Sequence, residues 1–335
     1  MPQGWRFNGG VIGGGPHLWT ATKGGVWSVK ENYSNRNTPP VTVGSAIFTT
    51  TGATSWTVPS GITSVSMVVI GGGGGGGATT TSSSGVSGGG GGGGGLAYKN
   101  NFTVTPGSTL IVTVGAKGNG GSAAGQNNST AGGVSDVTSG GLIRCRATGG
   151  AAGSYNVASS AVQAAGGIKD SLASDGGGNG GGGRGGASNN QGGGGGGAGG
   201  YTGNGGIGGA AGQNPADGAG GGGGGGGGIN SWTAIVTSGG GGTRLFGATG
   251  YSGARASNNN SNNQVTTRGY DGSLASAQAA RTGAYGAGGA GAEDDSPSAG
   301  GAGSDGAVRI MWGAGRSFPS TNADEANDQG NTTTY

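Results

Sequence analysis

The chain has 335 residues, 96 of them glycine, with nine prolines, 9% charged residues and a formal net charge of +3. Glycine stands far above its ordinary level of about 7% without a strict collagen repeat, and the small basic surplus forms no Lys/Arg cluster, so neither a collagen helix nor a nucleic-acid or anionic-membrane surface is indicated. The single Cys145 excludes an intrachain disulfide framework, no apolar run reaches transmembrane length, and the opening MPQGWRFNGG lacks the regions of a signal peptide.

Residues 1–44 read as a unit apart. They carry Trp5, Phe7, Trp19, Trp27 and Tyr33, and the only histidine, His17. Their pattern has no period that would build a core. Two readings stand: a strap across the body, or an assembly-docking segment whose aromatics anchor on a partner.

From residue 45 the pattern turns to β. Segments 46–50, 56–58, 63–70, 102–104, 109–114, 134–138 and 142–146 are short, β-branched and bounded by turn residues such as Pro59-Ser60-Gly61. Segment 307–312 alternates Val308, Ile310 and Trp312 with Arg309 and Met311. It has no strand nearby in sequence, so it is expected to return to the first sheet. The implied divisions are 45–146 for a β-sandwich with the first glycine segments, 147–306 for a long insertion carrying the glycine bundle and its loops, 307–314 for a closing strand and 315–335 for a C-terminal tail. Of that tail, residues 323–335 are polar, aperiodic and expected to be loose unless another part of an assembly holds them. Cys145 reads as a small buried residue.

Between the strands lie glycine runs at 71–77, 88–95, 192–197 and 220–228. A run without side chains buries no apolar face, so it is neither an amphipathic helix nor a half-buried strand. The choice is between linker and a polyproline-II-like helix of glycine, with three residues per turn and about 3.1 Å rise. Ordering glycine costs about 1 kcal/mol more per residue than ordering alanine, and a net hydrogen bond returns about 0.5–1.5 kcal/mol. Only a bundle in which neighbouring helices supply each other's partners can therefore persist. Similar run lengths favour that bundle. So does a period of three: Asn204, Ile207 and Ala210 share one face, as do Ala284, Ala287 and Ala290, and Ala299, Ala302 and Asp305. Such faces are expected outside, all-glycine runs inside. The expected fold is thus all-β with polyglycine II: a small antiparallel β-sandwich joined to a bundle of packed polyglycine-II helices, with almost no α-helix.

If the rods rise from the sandwich and return, alternate loops share an end. Counting places loops 78–87, 154–175, 201–202, 229–238 and 292–298 at the distal end, joined by 126–131, and loops 187–191, 213–217 and 256–282 near the sandwich. Ser, Thr, Asn and Gly with scattered aromatics make adaptable binding surfaces. The candidate receptor-binding residues are Tyr155, Asn156, Tyr201, Trp232 and Tyr251. Trp232 has an equal alternative as part of an apolar plug with Ile229, Ile235 and Val236.

The segments FTTTGATSWTVPSGITSVSMVVIGGGGGGG, GGGGGLAYKNNFTVTPGSTLIVTVGAKG and GAVRIMWG, in that order, resemble glycine-rich virion proteins of tailed bacteriophages. The likeness is greatest to tail-fibre tip adhesins with a polyglycine-II bundle, and the flanks GGVWSVKENYS and GRSFPSTN look like those of marine phage tail proteins. The resemblance covers most of residues 10–320. It implies a rigid glycine frame whose distal loops contact a host-surface protein or glycan, with residues 1–44 attaching to other tail proteins, a homo-oligomer being allowed. The localisation implied is the virion tail appendage, and the family supplies no catalytic residues.

Chemical motifs offer little. Matches to G-x-G-x-x-G are by-products of the glycine runs and lack the strand–helix context and acidic residue of a dinucleotide site. Gly85-Val86-Ser87-Gly88-Gly89 fits the nucleophile-elbow pattern only by composition, and one His and one Cys cannot make a zinc site. Glu293-Asp294-Asp295 lacks the spacing of a calcium loop and reads as a solvated turn. No enzyme, cofactor, metal, nucleic-acid partner or membrane insertion is expected. The competing expectation to an adhesin is a purely structural virion or filament component without receptor contact.

Overall fold

The computed structural model describes residues 43–79, 86–123, 129–155, 162–186, 192–210, 222, 239–247, 285–292, 299–328 and 331–335. These fall in the unit Thr42–Tyr335. Trp5, Phe7, Trp19, Trp27 and Tyr33 lie outside the described residues, as do Asn156, Trp232, Tyr251 and nearly all of the run 220–228.

In chain order the strands are β1 (Gly44–Phe48), β2 (Gly52–Thr57), β3 (Ser64–Ile70), β4 (Leu96–Thr103), β5 (Thr109–Val114), β6 (Ser135–Ser139), β7 (Leu142–Ala147), β8 (Val162–Ala164), β9 (Gly176–Gly178), β10 (Gly183–Arg184), β11 (Ala307–Trp312) and β12 (Thr332–Thr334). One sheet has the order β12-β1-β11-β3-β4-β9, another β2-β5-β6-β7, and β10 pairs with β8. No α-helix occurs among the described residues. β11 does return to the first sheet, antiparallel to both β1 and β3.

Two cores follow from period-two alternation. Phe48, Trp56, Met67, Leu110, Val112, Val137 and Ile310 fill the space between the sheets, with the rings of Trp56 and Trp312 5.7 Å apart. Cys145 is buried there, which pushes its thiol pKa up. The other face of the six-stranded sheet is buried too. Val68, Ile70, Leu96 and Met311 meet Tyr201, Leu245, Phe318 and Ala323 across it.

Arg309, on that same face of β11, is 0% exposed. Its guanidinium meets both carboxylate oxygens of Asp328 at 3.0 Å and lies 4.8 Å from the Phe246 ring centroid. Arg316 bonds the same carboxylate. The expectation of a tail at 323–335 that is loose unless an assembly holds it is overturned: the described part of that segment packs on the sheet, delivers Asp328, and adds β12 parallel to β1. Its own chain holds it, because two buried guanidiniums require a carboxylate nearby.

The glycine segments continue directly from strands. In 71–77 the amides of Gly71, Gly74 and Gly77 donate to Gly95, Gly92 and Gly89; those of Gly72 and Gly75 to Gly133 and Thr130; those of Gly73 and Gly76 to Ser304 and Gly301. Carbonyls of the same rod accept from 115–121, 148–154 and 285–292. Each amide thus turns to the next neighbour with a period of three. A pleated strand would alternate between two sides. Rod 71–77 sits amid six neighbours, and 88–95 repeats the arrangement with 71–77, 148–154, 164–169, 176–186, 192–200 and 285–292. None of these rod glycines, 71–77 and 88–95, has positive φ.

The decorated rods close the wall. The Lys117 amide donates to Asp305 Oδ1 at 2.8 Å, Asn119 to Thr130 Oγ1 at 2.8 Å, Ile168 to Thr148 Oγ1 at 2.8 Å, Lys169 to Asn179 Oδ1 at 3.2 Å and Asn179 to Asn204 Oδ1 at 2.9 Å. Each of these side chains satisfies an outward amide of the adjacent rod, where no further rod among the described residues accepts it. Asn204 and Ile207 face outward as expected, but Ala210, Ala287 and Ala290 are buried. Replacing Asn179 by alanine is expected to cost about 0.5–1.5 kcal/mol. Hydrogen exchange at the Lys169 amide should speed up in that variant; unchanged exchange would show that the side chain closes nothing.

Candidate distal recognition face

Rod direction fixes which loops share an end. Gly77, Gly88, Gly89, Gly121, Ser154, Gly193, Ala292 and Gly300 are joined by hydrogen bonds at one level: Gly77 to Gly89, Gly89 to Ser154, Gly88 to Ala292, Gly193 to Gly88 and Gly300 to Gly121. This level is the end remote from the sandwich. The described flanks of residues 80–85, 124–128, 156–161, 187–191 and 293–298 all lie at it.

The loop count needs correction at four places. Segment 154–175 is not one distal loop. Residues 164–169 return as a descending rod, with Thr148 donating to Ile168 and Gly167 to Gly93, and Asp170 donates to Arg146 beside β7. This rod has only two glycines, Gly166 and Gly167, so glycine content alone hides it. The extra rod inverts the parity of the next three loops. The last of them, 213–217, was expected near the sandwich, but its described flank at residue 210 lies distally, Gly194 donating to Gly209. Residues 186 and 192, flanking loop 187–191, therefore lie distally, whereas the loop was expected near the sandwich.

Tyr201 is the fourth. Its turn sits at the sandwich end, where Gly200 donates to Gly203 and Gly199 to Gly94. The ring is 1% exposed, stacked on Phe318 with centroids 5.6 Å apart, and its hydroxyl donates to the Arg244 carbonyl at 2.9 Å. Burial pushes the phenol pKa up. Tyr201 therefore anchors the bundle to the sheet and is removed from the receptor-contact set. Tyr155, by contrast, is 42% exposed at the distal end, one residue beyond rod 148–154. Below it the Ser129 hydroxyl donates to the Gly153 carbonyl at 2.7 Å, tying loop to rod. Asn156, Trp232 and Tyr251 lie outside the described residues.

The Ser87 hydroxyl of the elbow-like pattern is buried and unpaired among the described residues. Among the described residues no group of three or more His, Cys, Asp or Glu is placed to hold a metal, and no helix is long and apolar enough to cross a membrane. Sequence reasoning missed Arg309, Arg316 and Asp328, because nothing in their spacing marks an inward arginine or its partner.

The glycine-rich domain family matches residues 49–313. The chain belongs to the glycine-rich domain family. No curated protein matches it. The matched span of this glycine-rich domain begins just after β1, ends just after β11, and contains every rod described above.

Proposed function

We propose that the protein is a phage virion adhesin of a tail appendage, presenting host-receptor-binding loops on a rigid polyglycine-II frame. One observation carries this reading: the two ends of the unit Thr42–Tyr335 differ. Val43 precedes Gly44, which pairs with Trp312 at the end of the sheet far from the bundle, so residues 1–42 join there. Five interrod connections have their flanks at the opposite end. A six-residue strand and a seven-residue rod in line put these ends about 40 Å apart.

Attachment to other tail proteins through Trp5, Phe7, Trp19, Trp27 and Tyr33, and contact with a host protein or glycan through the distal loops around Tyr155, follow from that polarity. The three-residue period of the amides supports the polyglycine-II frame. The resemblance to phage proteins supplies the virion setting. No catalytic step belongs to this reading.

The test shortens loops 80–85, 156–161 and 187–191 to Gly-Ser links and replaces Tyr155 by alanine. The expected result is an unchanged melting transition and incorporation into particles, with adsorption to host cells reduced at least about tenfold, the equivalent of about 1.4 kcal/mol of contact energy. Particles that fail to assemble, but whose isolated protein folds, would instead indicate a purely structural virion component.

A further inference from the structure

We infer that β1 is the strand through which tension enters the protein and that the buried Arg309–Asp328–Arg316 network pins it against pulling. This rests on the adhesin reading, in which the chain is held through residues 1–42 and pulled through its distal loops.

The geometry is in the register. β1 begins at Gly44 opposite Trp312 and ends at Phe48 opposite Val308, nearest the bundle. β11 runs the other way, and its first residue, Ala307, continues from rod 299–306. Tension between residue 43 and the distal end therefore draws β1 by its N-terminal end away from the bundle and β11 by its N-terminal end towards it. The ladder bonds of an antiparallel pair lie perpendicular to the strands. Pulled this way, they share the load and must fail together. Pulled apart from one end, the same bonds would open in turn. On the other edge of β1, β12 pairs in parallel from Thr332 to Thr334, so β1 is held in shear on both sides.

The fastening is concentrated where force would arrive. The Val43 carbonyl accepts from Asn331 Nδ2 at 3.1 Å, and the Gly44 carbonyl from Arg316 Nη1 at 2.8 Å. The Ser45 amide donates to the Asn331 carbonyl at 3.0 Å, and its hydroxyl to Asp328 Oδ2 at 2.7 Å. Asp328 in turn holds Arg309 of β11 through both carboxylate oxygens. One buried carboxylate thus ties the first residues of the pulled strand to the strand that carries the opposing force. Apolar side chains often serve stability as well as a buried ion pair does. They would not provide a directional link at this position.

Single-molecule pulling on the full chain tests the inference. Handles on Val43→Cys and Ala299→Cys load β1 and β11 in shear. Handles on Val43→Cys and Ala314→Cys, the latter in the exposed turn just beyond Trp312, open the same pair from one end. Cys145 is buried and does not compete for the handles. At equal loading rate the shear pair should rupture at a force at least about twofold higher. Ser45→Ala should lower the shear force more than the opening force, and Asp328→Asn more again. Equal forces in the two geometries, or rods peeling before β1 releases, would overturn the inference. The force ratio does not depend on cells: if it holds while the adsorption test fails, the receptor reading falls and the clamp stands; the converse removes only the clamp.

Discussion

Replacing Asp328 by alanine is expected to destabilise the fold by about 3–5 kcal/mol, the cost of stripping a buried ion network of its one carboxylate. Asp328 is 1% exposed and accepts from Ser45 at 2.7 Å, Thr332 at 2.8 Å, Arg309 and Arg316. Without it, Arg309 and Arg316 remain buried at 0% and 4% exposure, facing backbone carbonyls such as Leu245 and Gly44. The urea midpoint should fall without a change of slope. An unchanged midpoint would mean that the guanidiniums find equal partners elsewhere.

The pH dependence has a definite sign. Burial pushes the Asp328 carboxyl pKa up, but the Ser45 bond, the Arg309 charge and the Thr332 and Arg316 bonds outweigh it and hold it below the ordinary value. A carboxyl lowered on folding contributes stability that is fully present above the unfolded pKa of about 3.9 and is lost as pH falls through the folded one. The gap in urea midpoint between the wild type and Asp328→Asn should therefore be constant at neutral pH and shrink below about pH 4. A gap that grows on acidification would contradict the assignment.

Replacing Gly73 by alanine is expected to leave no folded protein, a loss above about 4–5 kcal/mol. A Cβ there would stand 1.8 Å from the Ala287 carbonyl oxygen and 2.3 Å from its carbon, both backbone atoms of the neighbouring rod. Gly76 meets Ala290 in the same way at 1.9 Å. In a loose chain the same substitution would do the opposite, stabilising any compatible ordered form by about 0.4–1 kcal/mol through reduced chain entropy. The sign of the effect therefore separates a close-packed lattice from a linker. Ile207→Ala, on the outward face of rod 203–210, is the control and should shift the thermal midpoint by no more than an ordinary surface change. A Gly73→Ala protein as stable as the wild type would rule out the six-neighbour packing of rod 71–77.

Much of the frame was legible in the chain. β3, β5 and β11 follow from alternation bounded by turn residues, and the three-residue spacing of Asn204 and Ile207 marks an outward face. The failures share a cause. Rod 164–169 makes the same bonds as a glycine rod although only two of its residues are glycine, because a position at the edge of the lattice tolerates a Cβ pointing outward. Overlooking it inverted the ends assigned to loops 187–191, 201–202 and 213–217, and Tyr201 with them. Arg309 looked like the polar half of an alternating strand, since the segment that covers it and brings Asp328 is remote in sequence.

By itself the sequence determined that the chain is β-rich and pointed to side-chain-free segments that satisfy their amides between rods. Those properties come from composition and local period, which act over a few residues. Only the tertiary structure decided which rods are neighbours, which loops share an end, and which charges are buried. These depend on hydrogen bonds between segments up to hundreds of residues apart, and an amide or a guanidinium carries no local mark of the distant carbonyl or carboxylate that will receive it.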